Sequence, residues 1–222
     1  EIVTYYMTIK DSKYYLIDLD GVILDTNYDN YFWQKYVPSV YAKKKNLSEK
    51  DAISVTHALF NYKRKSKDWY DVDYWSNILD IDIIEEKKKQ ENMSLIKLKK
   101  NAIETLEKLK DLDKSLFLVT NAHRKTLDIK LSKFSLVEYF NEVVCSHELH
   151  YVKEDIQFWH LLRVKYDIDY DISVLVEDTF DNIISAHHAG LKNFVYIGNE
   201  EKSTDKIRPL FLSSFSELTS SV

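Results

Sequence analysis

Short, unbroken apolar runs alternate along the chain with stretches whose apolar positions recur every three or four residues. Tyr14-Tyr15-Leu16-Ile17 is one such run; it ends at Asp18 and reads as a buried strand. Ser115-Leu116-Phe117-Leu118-Val119 reads the same way, as do the shorter Val143-Val144-Cys145, then Ser173-Val174-Leu175-Val176, and Phe194-Val195-Tyr196-Ile197 before Gly198. Helical spacings lie between them. Ile103, Leu106, Leu109 and Leu112 form one apolar edge, Ile156, Trp159 and Leu162 another, and the segment from Thr179 to Ala189 is closed by Gly190. Strands alternating with helices imply parallel pairing through right-handed crossovers, so the expected fold is α/β with a doubly wound parallel sheet.

One connection breaks that rhythm. Between Asn27 and about Lys100 no strand pattern occurs, while helix signals are dense. Trp33, Tyr36, Val37, Val40 and Tyr41 fall at helical spacing, with Pro38 marking either a kink or a helix start. Ser48 stands three residues before Asp51 as a capping-box variant, and Ile53, Thr56, Leu59 and Phe60 continue an apolar face. The expected organisation is an α/β core of residues 1–26 and 101–222 carrying a helical cap domain, 27–100, inserted after the first strand. The lysine runs 43–45 and 87–89 are expected to be solvated helix faces.

Composition narrows the classes. The chain has 222 residues, 45% hydrophobic and 30% charged, which excludes a disordered segment and supports a sizeable core. Its 31 basic and 36 acidic residues leave a net charge of −5, a poor match for a general nucleic-acid binder. No apolar run is long enough to span a membrane. A single cysteine, Cys145, excludes an internal disulfide and a cysteine-based zinc cluster. Residues 1–10 lack a secretory pattern and begin without Met, so a processed or engineered start and a cytoplasmic location are expected. Only three glycines occur, Gly21, Gly190 and Gly198, so glycine-rich phosphate loops are absent.

Candidate chemistry gathers where strands end. Asp18 and Asp20 follow the first strand, and in an extended chain residues i and i+2 share a face, their Cα atoms about 6.5–7 Å apart. Two carboxylates there suit a nucleophile paired with a general acid/base, and together attract a divalent cation. An ordinary Asp-Gly turn has the same composition. Thr120 and Asn121 close the second strand, where hydroxyl, amide and free helical N–H groups suit phosphate oxygens; a plain helix cap uses the same residues. Lys153 stands near a helix start, against the dipole preference, and is a candidate for holding an anion. Glu177 and Asp178 follow the fourth strand and suit an oxygen-only magnesium site, or an acidic helix start. In a parallel sheet these ends meet at one edge.

In that order, Asp18/Asp20, Thr120, Lys153 and Glu177/Asp178 resemble the four motifs of the haloacid dehalogenase-like phosphohydrolase superfamily, over essentially the whole chain. Asp29-Asn30-Tyr31-Phe32-Trp33, Asp68-Trp69-Tyr70, Asp73-Tyr74-Trp75, Val119-Thr120-Asn121-Ala122-His123 and Lys153-Glu154-Asp155-Ile156-Gln157-Phe158-Trp159 are similar to its bacterial GMP/IMP 5′-nucleotidase branch. The resemblance implies a Rossmann-like core and hydrolysis of a small phosphate monoester, a purine nucleoside 5′-monophosphate, through an aspartyl-phosphate. It makes Asp18 the nucleophile and Asp20 the general acid and base. Asp18, Asp178 and the Asp20 carbonyl become Mg²⁺ ligands, with Glu177 helping directly or through water. Thr120, Asn121 and Lys153 become the substrate-binding groups. The cap would choose the leaving group, and Tyr28, Tyr31, Phe32, Trp33, Tyr36, Trp69, Tyr70, Tyr74 and Trp75 offer faces for base stacking or simply fill its core. His123 either reaches substrate or caps its helix. A sugar-phosphate phosphatase or phosphomutase shares the motifs, and a receiver-type phospho-acceptor module shares their residue types.

Overall fold

The computed structural model describes residues 9–220. The absence of a secretory pattern, as far as it concerns residues 1–8, lies outside them. Backbone contacts divide the chain into two compact units, one of Glu1–Asp25, Leu98–Asn121 and Ser135–Val222, the other of Thr26–Lys97 and Ala122–Phe134. Among the described residues no helix is long and apolar enough to cross a membrane.

The first unit is built on β1 (Tyr14–Ile17), β2 (Ser115–Thr120), β3 (Glu142–Cys145), β4 (Ser173–Glu177), β5 (Asn193–Ile197) and β6 (Leu210–Leu212). They form one sheet in the order β3-β2-β1-β4-β5-β6, every pair parallel. Chain order reverses at β1, which pairs with β2 on one side and β4 on the other, the arrangement that opens a crevice at the carboxyl ends of the strands. Apolar runs without alternation fit a sheet covered on both faces, and β4 is buried along its whole length. Register then sets the site. Ile17 lies opposite both Leu118 and Val176, so Asp18 follows the end of β1 level with Glu177, the last residue of β4, while Thr120 closes β2 two residues beyond Leu118.

Helices 102–111, 156–166 and 180–188 are where the spacings place them. Leu112 leaves its expected buried edge: the first of these helices ends at Asp111, and Leu112, as its C-cap, is 52% exposed. The last ends in a two-bond glycine stop, with the Gly190 N–H donating to the His187 carbonyl and the Leu191 N–H to Ala186. Gly190 adopts the positive φ of +101° that this stop requires. β6 has no counterpart among the expected strands. It is the three-residue apolar run Leu210-Phe211-Leu212, lies at the sheet edge and is half-buried at two of its residues.

The second unit is helical, and Phe32, Val37, Phe60, Trp75 and Leu79 lie in its core. Pro38 marks a change of helix type: a π-helical stretch, Phe32–Tyr36, runs into an α-helix, Val37–Lys45, with Pro38 in its first turn, where a missing N–H costs nothing. Ser48 caps Glu49–Lys63 by accepting from the Asp51 N–H at 3.1 Å, and its hydroxyl donates to Asp51 Oδ2 at 2.6 Å. On that helix Thr56 and Phe60 are buried, but Ile53 is exposed.

Lys87 overturns one expectation. Lys43–Lys45, Lys88 and Lys89 are solvated, but the Lys87 side chain is 1% exposed, 3.0 Å from Asp29 Oδ1 and over the rings of Tyr28 and Phe32. Lys130, also buried, takes Asp29 Oδ2. That pairing helps to draw Ala122–Phe134 into the helical unit, although the sequence places this segment with the α/β core. Lys133 adds bonds to the Met93 and Ile96 carbonyls, both at 2.7 Å, and Lys125 a pair to Asp73. Among the unit's rings Tyr28, Phe32, Tyr36 and Trp75 are core, and Phe60 packs edge-on against Trp75 at 4.9 Å. Trp33, Trp69, Tyr70 and Tyr74 are half-buried and Tyr31 is exposed.

Candidate active site

The first unit collects its acids at one edge of the sheet. Asp18 follows β1 directly, its N–H donating to the Val176 carbonyl of the neighbouring strand at 3.0 Å, and the residue is buried. The chain then turns at once: the N–H groups of Ile23 and Leu24 both donate to the Leu19 carbonyl at 2.9 Å, and that of Gly21 to Leu24 at 2.7 Å. Gly21 sits at φ +88°, a conformation that side chains rarely adopt. Asp20, half-buried, lies on the rim of this turn.

Lys153 ties the segments together. It sits in a turn three residues before the helix Ile156–Tyr166, so a clash with that helix's dipole does not explain its placement. Its side chain is 1% exposed, and its ammonium donates to Asp18 Oδ1 at 2.6 Å and to the Val119 carbonyl at 3.0 Å. It also lies 2.6 Å from Glu177 Oε2. The solvated-lysine alternative is therefore excluded. Glu177, fully buried at the end of β4, accepts on Oε1 from the N–H groups of Asp178 and Thr179.

One carboxylate oxygen from each of Asp18, Glu177 and Asp178 falls within 4.8 Å of the other two. Three acids thus face one ammonium. Burial, and then the charge of Glu177, pushes the Asp18 carboxyl up to about 7 despite Lys153. Burial likewise lifts Glu177 to about 7, against the pull of Lys153. Asp178 rises to about 6 through burial and the charge of Asp18. Burial disfavours the Lys153 ammonium, but Asp18 and Glu177 outweigh it and hold its pKa above the ordinary lysine value. Crowded carboxylates that resist ionisation are what a divalent cation relieves, and an all-oxygen donor set suits Mg²⁺. The residues present fit that ion.

Thr120 is buried at the end of β2, opposite Cys145. Asn121 follows it, but both ends of its side chain serve the Lys153 turn: Oδ1 accepts from the Lys153 N–H and Nδ2 donates to Glu154 Oε2, each at 2.8 Å. The side chain thus braces the Lys153 turn, with the second Nδ2 hydrogen not accounted for by these two bonds. Glu154 has no role of its own in the sequence reading, where nothing links it to Asn121 thirty-three residues earlier. In the helical unit His123 is the N-cap of Arg124–Lys133, its Nδ1 accepting from the Lys125 N–H.

Residues 15–196 match the family model described as haloacid dehalogenase-like hydrolase. The chain is 28% identical over 186 residues to the GMP/IMP nucleotidase YrfG of Escherichia coli, covering 84% of this chain and 83% of that protein. Its fold is similar to that of a HAD phosphatase from Thermococcus onnurineus, with a TM-score of 0.79 at 21% identity over 94% of this chain and 96% of the other. It is also similar to the Bacillus subtilis protein YfnB in a magnesium-bound structure, with a TM-score of 0.64 at 15% identity, covering 93% and 96%.

Proposed function

The chain belongs to the haloacid dehalogenase-like hydrolase family, and from that premise we propose that it hydrolyses purine nucleoside 5′-monophosphates with Mg²⁺ through an aspartyl-phosphate on Asp18. The observation that carries this reading is the meeting of Asp18, Glu177 and Asp178 around the ammonium of Lys153. In the first step an Asp18 oxygen attacks phosphorus and the ester P–O bond breaks, while Asp20 gives its proton to the departing ribose oxygen. In the second, Asp20 takes a proton from water as that water attacks phosphorus, releasing inorganic phosphate and restoring the Asp18 carboxylate.

Lys153 offsets the negative charge that nucleophile and phosphoryl group bring together, and Glu177 pairs with the same ammonium from the end of β4. Thr120 and the N–H groups near Asn121 hold the phosphoryl oxygens. Asp18, Asp178 and the Asp20 carbonyl would hold Mg²⁺, with Glu177 as direct or water-borne ligand. The bound ion would supply positive charge to the phosphoryl oxygens. Residues 1–26 and 101–222, apart from the Ala122–Phe134 segment that belongs to the helical unit, act as catalytic core, and residues 27–100 as the cap that selects the leaving group.

Identity to a GMP/IMP nucleotidase supports the purine substrate. A phosphate-release screen with Mg²⁺ over purine monophosphates, pyrimidine monophosphates and hexose phosphates tests it. GMP and IMP should lead. Preference for a hexose phosphate would redirect the reading to sugar-phosphate chemistry, and no release from any monoester would refute phosphatase activity.

A further inference from the structure

The backbone of Lys153 is gripped as firmly as its ammonium. Its N–H donates to Asn121 Oδ1 at 2.8 Å, and its carbonyl accepts from Trp159 Nε1 at 2.8 Å, with Trp159 fully buried. A side-chain amide has one accepting and one donating end of almost equal shape, so Asn121 alone does not determine which end meets Lys153. Glu154 decides it. An ionised carboxylate only accepts, and Glu154 Oε2 takes the Nδ2 end at 2.8 Å, turning Oδ1 toward the Lys153 N–H. The opposite orientation would set donor against donor at Lys153 and acceptor against acceptor at Glu154.

Resting on the phosphatase reading above, we propose that Glu154 is a positioning residue for the Lys153 ammonium, acting through the orientation of Asn121. Without the carboxylate the Nδ2 end of the amide loses its anchor, the Oδ1 acceptor of the Lys153 N–H is no longer held in place, and the ammonium moves away from Asp18. Displacement of a catalytic group by about 1 Å costs on the order of a hundredfold in rate. An isolated surface glutamate would have no such effect.

The test compares Glu154→Leu, Glu154→Gln and Lys153→Met, singly and with E154L combined with K153M, in Mg²⁺-dependent release of phosphate from IMP and from p-nitrophenyl phosphate. E154L should lower kcat about 10–100-fold, the range seen when groups behind a catalytic ligand are removed, with a smaller change in KM. E154Q, whose side-chain carbonyl still accepts from Nδ2, should retain most of the rate. On the K153M background E154L should add nothing, since no ammonium remains to be placed. Wild-type kcat in E154L, or a loss that multiplies fully with K153M, would overturn the proposal. Glu154→Ala serves if the leucine variant does not fold. A crystal structure of the Glu154 variant keeps the two readings apart: Lys153 Nζ should leave Asp18 Oδ1 whatever the substrate, and an unmoved lysine contradicts the positioning role. An inactive wild type would refute the phosphatase reading instead.

Discussion

A β-carbon on Gly21 would lie 1.8 Å from Asp178 Oδ2, so the carboxylate of the β4 loop rests directly on the bare backbone of the β1 loop. The two strands are neighbours in the sheet, and this contact carries their pairing one step further, into the site. Glycine is required twice here, by the space and by the φ of +88°.

Gly21→Ala should therefore strain the turn by about 1–3 kcal/mol and push Asp178 from its place. The expected result is a lower melting temperature together with a fall in phosphate release and a higher Mg²⁺ requirement. A variant with wild-type Mg²⁺ dependence would show that the Asp178 position is not set by this contact.

Acid strength at the site gives a pH prediction for the metal-free protein. Asp18 and Glu177 are raised to about 7 and Asp178 to about 6, above the value of about 4 for unfolded carboxylates. Between about pH 4 and pH 7 the folded state binds more protons than the unfolded one, so stability should fall as pH rises through that window. Mg²⁺ should reverse this by favouring the ionised acids, raising the melting temperature more at about pH 8 than at about pH 5. Melting curves with EDTA and with excess Mg²⁺ measure both effects. A metal-free protein whose site carboxylates make it more stable at the higher pH would contradict the crowded-acid description.

Asp29 has the opposite sign. Burial alone would raise its pKa, but the ammonium groups of Lys130 and Lys87 hold it well below the usual carboxylate range. Its contribution is present above the ordinary value of about 4 and is lost only as pH falls through the depressed folded one. Asp29→Asn leaves two buried lysines without their shared anion and should cost about 3–5 kcal/mol. Faster amide exchange in the helices Ile83–Lys88 and Arg124–Lys133, with a lower urea midpoint, is the expected outcome. An unchanged midpoint would mean that the triad adds no net stability.

The same triad shows where the sequence stops being informative. Five apolar runs announced five strands, and the acids at two of their ends announced the site, because strand burial and strand-end chemistry are both local in sequence. Lys87 looked solvated because its partner Asp29 is 58 residues away and its own neighbours are charged. β6 was missed because three apolar residues, Leu210-Phe211-Leu212, directly after Pro209 are too short a run to mark an edge strand by themselves. The bracing of Asn121 was not legible, because its partners, the Lys153 N–H and Glu154, come from another crossover more than thirty residues later. Pro38 allowed a kink or a start, and the π-helical lead-in that resolves this depends on packing of Phe32 and Tyr36 in the helical core.

The account stands or falls on Asp18. Phosphate release from GMP and IMP with Mg²⁺, measured side by side for the wild type and Asp18→Asn, tests it most directly. The account predicts turnover by the wild type and background release by a folded variant whose melting temperature shows the site mutation has not unfolded it. Undiminished turnover by Asp18→Asn would contradict it.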